Sequence, residues 1–178
     1  MNGRLCQRAC RQPMNGLFMS SSSLTALNIV QDAAVIPVIV LNKVEHAVPL
    51  AKALVAGGIR MLEVTLRTPV ALDCIRAIAQ EVPEAVAGAG TVRSASDAQA
   101  AAAAGAQFFV SPGYLSSLGQ ACQALQIPLL PGVATASEVM QAKADGFDVL
   151  KFFPAVQSGG VAMLKAWSGP FGDVQYCP

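Results

Sequence analysis

From Val35 onward, short runs rich in Val, Ile, Leu and Phe alternate with Ala-rich runs of about a dozen residues. This is the pattern of βαβ units around a parallel sheet. Strands are predicted at VIPVIVL (35–41), IRMLEVT (59–65), AVAGAG (85–90), QFFVSP (107–112), IPLLPG (127–132), FDVLKFFP (147–154) and DVQYCP (173–178). Their starts are 20–26 residues apart, one strand-loop-helix-loop unit each time. Continuous apolar strands imply that both faces of the sheet are covered. Between them, EHAVPLAKALVAGG reads as a helix stopped at Gly57-Gly58, and SASDAQAAAAAGA as a helix capped by Ser94. Pro69 and Pro170 sit near element boundaries, where proline is tolerated. Upstream, SSSLTALNIVQDAAV predicts a short helix leading into the first strand, with Ser23 as one cap.

Two architectures accommodate alternating units: an open doubly wound sheet and a closed (β/α)8 TIM barrel. Glu63, Thr91, Ser111 and Lys151 all fall at or just beyond the C-terminal ends of different strands. A barrel gathers chemistry from around a ring in this way, whereas an open sheet concentrates its ligand contacts at one switch point. The expected fold is therefore an α/β barrel over 20–178, preceded by a disordered extension over 1–19. Six units and a seventh strand are counted to Pro178, so the barrel is expected to be truncated after its seventh strand, roughly 35 residues short of closure.

Composition narrows the function. Of 178 residues 53% are hydrophobic and 13% charged, which excludes a disordered chain. No run reaches the roughly 18 apolar residues of a membrane-spanning helix. Twelve basic against eleven acidic residues leave a net charge of +1, which suggests neither nucleic acid nor membrane as a partner. Small molecules and other subunits remain. The leader MNGRLCQRACRQPMNGLF carries Arg4, Arg8 and Arg11 without an acid, yet lacks a secretory apolar core; Met14 and Met19 are alternative starts. Cys6, Cys10, Cys74, Cys122 and Cys177 form no C-x-x-C pair, so free thiols in a reducing compartment are expected. The single histidine, His46, does not suffice for a His-rich metal centre or a Ser-His-Asp triad.

The chemistry is expected at Lys151, in FDVLKFFP. A lysine is rarely buried without a reason, and burial favours its neutral amine, an imine-forming nucleophile. The alternative is a strand-end lysine that reaches solvent or pairs with Asp148. Strand alternation puts Met61, Glu63 and Thr65 on one face, so Glu63 points toward the barrel's mouth as a general acid or base, or else forms an ion pair with Lys151 or Arg67. Arg67 offers a guanidinium for a carboxylate or phosphate. GAGT (88–91) allows a backbone to approach a ligand, with Thr91 adding a hydroxyl, but it lacks the third glycine of a dinucleotide fingerprint. Ser111-Pro112-Gly113 and Pro131-Gly132 shape the same rim, and Ser158-Gly159-Gly160 opens a helix, either as a cap or as an anion site.

Taken in order, VIPVIV, EHAVPLAKALVAGGIRMLEVTLRT, EVPEAVAGAGTV, FFVSPG, IPLLPGVAT, KFFPA, GPF and the terminal YCP closely resemble the 2-keto-3-deoxy-6-phosphogluconate (KDPG)/4-hydroxy-2-oxoglutarate (KHG) aldolase family, over about Leu24 to Pro178. The resemblance implies a class I, cofactor-free and metal-independent aldehyde-lyase on a (β/α)8 barrel. It implies Lys151 as Schiff-base lysine, Glu63 as general acid/base, Arg67 on the substrate's carboxylate or phosphate end, and Thr91 on the pyruvate portion. Pro112 and Phe153 would line the pocket. The implied reaction cleaves KDPG to pyruvate and glyceraldehyde 3-phosphate, and often KHG to pyruvate and glyoxylate, in a cytoplasmic homotrimer. The family's T-G-G-I and G-G-S phosphate segments follow its cysteine-proline, where this sequence has reached Pro178. An inactive barrel fragment and a phosphate-binding barrel isomerase or epimerase, with Glu63 as base and no covalent intermediate, are the alternatives.

Overall fold

In the computed structural model, residues 24–33 and 35–178 are described. The extension over 1–19, with Cys6, Cys10 and the starts at Met14 and Met19, lies outside them, as does Ser23. Helix α1 (Ala26–Asp32) is capped instead by Thr25, whose Oγ1 accepts from the Asn28 amide. The strands that follow are β1 (Val38–Ile39), β2 (Met61–Thr65), β3 (Val86–Gly90), β4 (Phe108–Val110), β5 (Leu129–Leu130), β6 (Gly132–Val133), β7 (Val149–Phe152) and β8 (Gln175–Cys177). Helices α2 (Ala47–Ala56), α3 (Ala71–Glu81), α4 (Ala95–Ala103), α5 (Ser116–Leu125), α6 (Ala136–Ala144) and α7 (Gly160–Trp167) fall between them.

All pairings are parallel, and strands neighbour one another in chain order: β1 to β5 in one sheet, β6 to β8 in the next. An open doubly wound sheet would reverse direction at a switch point; this order progresses around a ring, as a barrel requires. The segment expected as one strand, IPLLPG, is split at Pro131, which has no amide hydrogen to donate to the ladder. Its carbonyl still accepts from the Lys151 amide at 2.8 Å, so the ring turns a corner there without losing β7. Proline also shortens the first strand: Pro37 donates nothing, and VIPVIVL contributes only Val38–Ile39 to the ladder.

Three apolar layers result. The outer faces of the first sheet pack on α2 to α5 through Leu62, Val64, Ala87, Ala89 and Phe109, and β6 and β7 pack around Phe152 and Trp167. Inside the ring lie Met61, Phe108, Val110, Leu130 and Val149. Ile29 of α1 joins this interior group with no exposure at all. The short leading helix is thus a plug for the ring, and the interior is a packed core.

Helix ends follow the sequence signals at α2 and α4 but not at α7. Ser94 caps α4 by accepting from the Asp97 amide, and Gly57 closes α2 with Gly58 beyond it at φ 86°. Thr135 and Glu138 form a reciprocal capping box on α6 that TASE in the sequence already encodes. At α7 the cap position belongs to Gly159, at φ 103°, and no side chain caps it; Ser158 does not serve that purpose.

Candidate active site

Strand alternation and register together aim the polar residues inward. Parallel pairing sets Val38 beside Glu63, Glu63 beside Gly88, and Lys151 beside both Gly132 and Cys177. Glu63 and Lys151 consequently meet across the ring although they lie on β2 and β7. Lys151 Nζ is 3.6 Å from Glu63 Oε1, with the two side chains 16% and 5% exposed. That separation is an ion contact longer than a charge-assisted hydrogen bond, and among the described residues Glu63 Oε1 receives no hydrogen bond. A buried carboxylate oxygen left without a donor is costly in a purely structural ion pair. Of the alternative pairings, that of Glu63 with Lys151 forms, whereas among the described residues Lys151 does not pair with Asp148, which Lys143 engages at 3.3 Å, nor Glu63 with Arg67. Burial raises the Glu63 carboxyl above the usual glutamate range, an effect only partly offset by the positive charges of Lys151 and Arg67.

The glycines of GAGT make room for side chains of the protein. A methyl group on Gly88 would fall inside the Phe108 ring, and one on Gly90 would lie 2.6 Å from Glu63 Cγ and 2.7 Å from its Cδ. The space left by Gly90 is filled by the Glu63 carboxyl. Thr91 follows with φ 60°, a left-handed conformation rare for a β-branched residue. Its hydroxyl accepts from Arg67 Nε at 3.0 Å, which binds the rim of β2 to that of β3 and leaves the terminal guanidinium nitrogens free to point elsewhere. Thr68 and Thr65 donate to the carbonyls of Leu41 and Ile39, fixing the β2 end against β1.

On the other side of the mouth, the Pro112–Gly113 backbone packs on Gly132, where a side chain would come within 2.7 Å of the Gly113 nitrogen. Ser111 Oγ accepts from the Gly132 amide at 3.3 Å. Phe153 presents its ring to the amine, with Lys151 Nζ 5.2 Å from the centroid. A small cavity of about 50 Å³ opens at the pair, walled by Ile36, Val38, Val110, Leu130 and Cys177 as well as Glu63 and Lys151. Arg67, Thr91, Pro112 and Phe153 do not wall it; the structure places Arg67 and Phe153 exposed and Thr91 and Pro112 half-buried.

Cys177 is the neighbour that sequence reasoning left without a role. Burial raises its thiol, while Lys151 acts in the opposite direction and Glu63 in the same one. The signal for its place was its two-residue alternation with Gln175 in DVQYCP. Among the described residues, no three or more His, Cys, Asp or Glu side chains gather as metal ligands would, and no helix is long and apolar enough to cross a membrane.

The sequence pattern of the KDPG and KHG aldolases matches residues 27–178. The chain is 51% identical over 160 residues to the 2-dehydro-3-deoxy-phosphogluconate aldolase of Dickeya dadantii. It is 52% identical over 160 residues to the KHG/KDPG aldolase of Escherichia coli K12; both alignments cover 90% of this chain and 75% of the relative. Its structure superposes, with a TM-score of 0.85 and 46% identity, on the KDPG aldolase of Legionella pneumophila in which pyruvate was captured as a covalent carbinolamine, over 87% of this chain and 75% of that one. An inward lysine beside a buried glutamate, on parallel strands that follow one another around a ring, is thus accompanied by close identity along nearly the whole described chain, which belongs to the KDPG/KHG aldolase family.

Proposed function

We propose that this protein is a class I aldolase that cleaves KDPG to pyruvate and glyceraldehyde 3-phosphate, and KHG to pyruvate and glyoxylate, through an imine on Lys151. The observation that carries the reading is the 3.6 Å approach of Lys151 Nζ to a buried Glu63 oxygen that has no hydrogen-bond partner among the described residues. Family membership and the names of its relatives support the substrate class.

In this mechanism Glu63 relieves the amine of a proton, and Nζ attacks the C2 ketone to give a carbinolamine. Glu63 returns the proton to the C2 hydroxyl, which leaves as water, and the iminium remains. The Glu63 carboxylate then takes the proton of the C4 hydroxyl. The C3–C4 bond breaks, its electron pair moves into the iminium, and the aldehyde departs. The enamine is protonated at C3, and water hydrolyses the resulting iminium to release pyruvate and free Lys151. No metal or organic cofactor enters these steps. Arg67 holds the carboxylate or phosphate end of the substrate and Thr91 the pyruvate portion, with Pro112 and Phe153 forming outer walls.

Borohydride added with pyruvate is expected to reduce the imine irreversibly, and peptide mapping should find the added mass on Lys151. A label on another lysine, or none, would overturn the assignment.

The reading extends to a cytoplasmic homotrimer. The thiols Cys74, Cys122 and Cys177, free among the described residues, suit a reducing compartment. Val156 and Val161, 82% and 69% exposed around the turn from β7 to α7, supply apolar surface for an interface. Light scattering should give three times the protomer mass. A monomer would reject the trimer, and recovery in an exported fraction would reject the compartment.

A further inference from the structure

Glu63 and Lys151 stand on different sheets, one on β2 in the first and the other on β7 in the second. The two sheets share one bent strand. Its first half, β5, pairs with β4, and its second half, β6, pairs with β7. The outer core divides at the same place: Leu118 and Cys122 of α5 belong to the cluster of the first sheet, Val139 and Ala142 of α6 to that of the second. Among the described residues, only Tyr114 and Phe147 pack against both of these outer clusters. Their rings meet edge to face, with centroids 5.5 Å apart.

A polar clasp outside the active site crosses this division. Tyr114, just ahead of α5, donates its hydroxyl at 2.8 Å to Oδ2 of Asp145, the residue that closes α6. Ser116 donates to the same oxygen at 2.7 Å, and Gln123 of α5 donates to the Asp145 carbonyl at 2.9 Å. Gly119 leaves the room for it, since a Cβ there would come within 2.5 Å of the Tyr114 hydroxyl oxygen and 2.9 Å of Phe147 Cε2. The hydrogen bonds of Ser116, Tyr114 and Gln141 hold the Asp145 carboxyl below the usual aspartate range, and burial and the bond to Asp145 raise the Tyr114 phenol. The donor therefore keeps its proton and the acceptor its charge at neutral pH.

Resting on the imine reading, we propose that Tyr114 and Asp145 are positioning residues: by clasping α5 to α6 they fix the angle of the bent strand, and with it the approach of Lys151 to Glu63 across the ring. The bend itself is a weak brace. Pro131 has no amide hydrogen, and the Gly132 amide reaches Ser111 Oγ only at 3.3 Å. Tyr114 also follows Pro112–Gly113, whose backbone packs on Gly132, the register partner of Lys151. The segment around Tyr114 thus holds the second sheet at two points, Gly132 at the mouth and Asp145 on the outside. Opening of the bend carries Nζ away from the carboxyl that takes its proton, and displacements near 1 Å cost on the order of 10²-fold in rate.

The test is the rate of borohydride trapping at saturating pyruvate, well below the melting temperature, which reads the geometry of the pair without the aldehyde half of the substrate. Tyr114→Phe keeps the ring against Phe147 and loses the hydroxyl; it should slow trapping by about tenfold, a part of what a full 1 Å displacement costs. Asp145→Ala, which also leaves Ser116 without its acceptor, should slow it at least as much. Asp145→Asn retains an accepting oxygen and should restore trapping to within about threefold of the unaltered rate. The double variant Tyr114→Phe/Asp145→Ala should be no slower than Asp145→Ala, because the two side chains act as one unit. Leu54→Ala is the stability control. It loosens α2 against the first cluster without touching the division, and should lower the melting temperature while leaving trapping within about twofold. Trapping within about twofold of the unaltered rate in Tyr114→Phe and in whichever Asp145 variants fold, or a slowing in Leu54→Ala as large as theirs, would overturn the clasp's role and leave the imine intact. Absence of trapping in the unaltered protein would overturn the imine reading and the clasp's part in it together.

Discussion

Glu63→Gln is expected to lower kcat by about 10²–10⁴-fold, the range over which a positioned acid or base contributes, and to abolish the acid limb of the pH profile. The amide keeps the shape of the side chain in its slot beside Gly90 but can neither take nor return a proton. In the unaltered protein, burial raises the Glu63 carboxyl against the opposing charges of Lys151 and Arg67. The base is therefore lost, as pH falls, at a higher pH than an exposed glutamate near 4.3 would give. The stability of the fold shows the same titration with a definite sign. A carboxyl raised in the folded state binds its proton more tightly there than in the unfolded chain. Its stabilising contribution is complete below the unfolded value and is lost as pH rises through the folded one. Denaturant midpoints should thus show the unaltered protein losing stability relative to Glu63→Gln as pH rises from about 4. Parallel midpoints across that range, or a retained acid limb in the variant, would contradict the role given to Glu63.

The barrel was readable because its signal is repeated. Each strand is a short apolar run at regular spacing, and each unit buries its own helix face, so an error in one boundary leaves the order intact. The errors that did occur are local, and two of them share a cause. Pro37 and Pro131 lie inside apolar runs, and hydrophobicity alone does not register their missing amide hydrogens. Of the site, Glu63 and Lys151 could be read from alternation and from the oddity of a charge among buried neighbours. Their approach to one another was legible only as one of two ion pairs open to Glu63, with Lys151 or with Arg67, since the choice depends on bringing β2 and β7 together around a ring. The same limit applies to Cys177, which acquires a place only when β8 pairs with β7 and sets it beside Lys151. Gly88 and Gly90 were visible as small residues on alternate positions, but a glycine in a sequence does not say which atom needs its space. Phe108 and Glu63 answer that from the adjacent strands, each filling the space a glycine leaves.

Those two glycines allow catalysis to be separated from folding. At Gly90 an alanine methyl would meet Glu63 at its carboxyl and at Cγ, so the side chain must turn aside to make room. Rotation relieves the clash at a cost in stability of about 1–3 kcal/mol, typical of overpacking. It also carries the carboxylate away from Lys151 Nζ and from the C4 hydroxyl. Displacements near 1 Å cost on the order of 10²-fold in rate, so Gly90→Ala should lower kcat by about that factor and leave a cooperative unfolding transition. Imine trapping by pyruvate should slow with it, because the proton steps of carbinolamine formation use the same carboxyl. At Gly88 the added methyl meets the ring of Phe108, which is fully buried and backed by the interior of the barrel. The ring cannot rotate out, so Gly88→Ala should lower the melting temperature more than Gly90→Ala does. Its effect on kcat, measured on the fraction that folds, should be the smaller of the two. The reverse order, with Gly90→Ala costing stability and sparing the rate, would mean that Glu63 performs its work from some position other than the slot Gly90 provides.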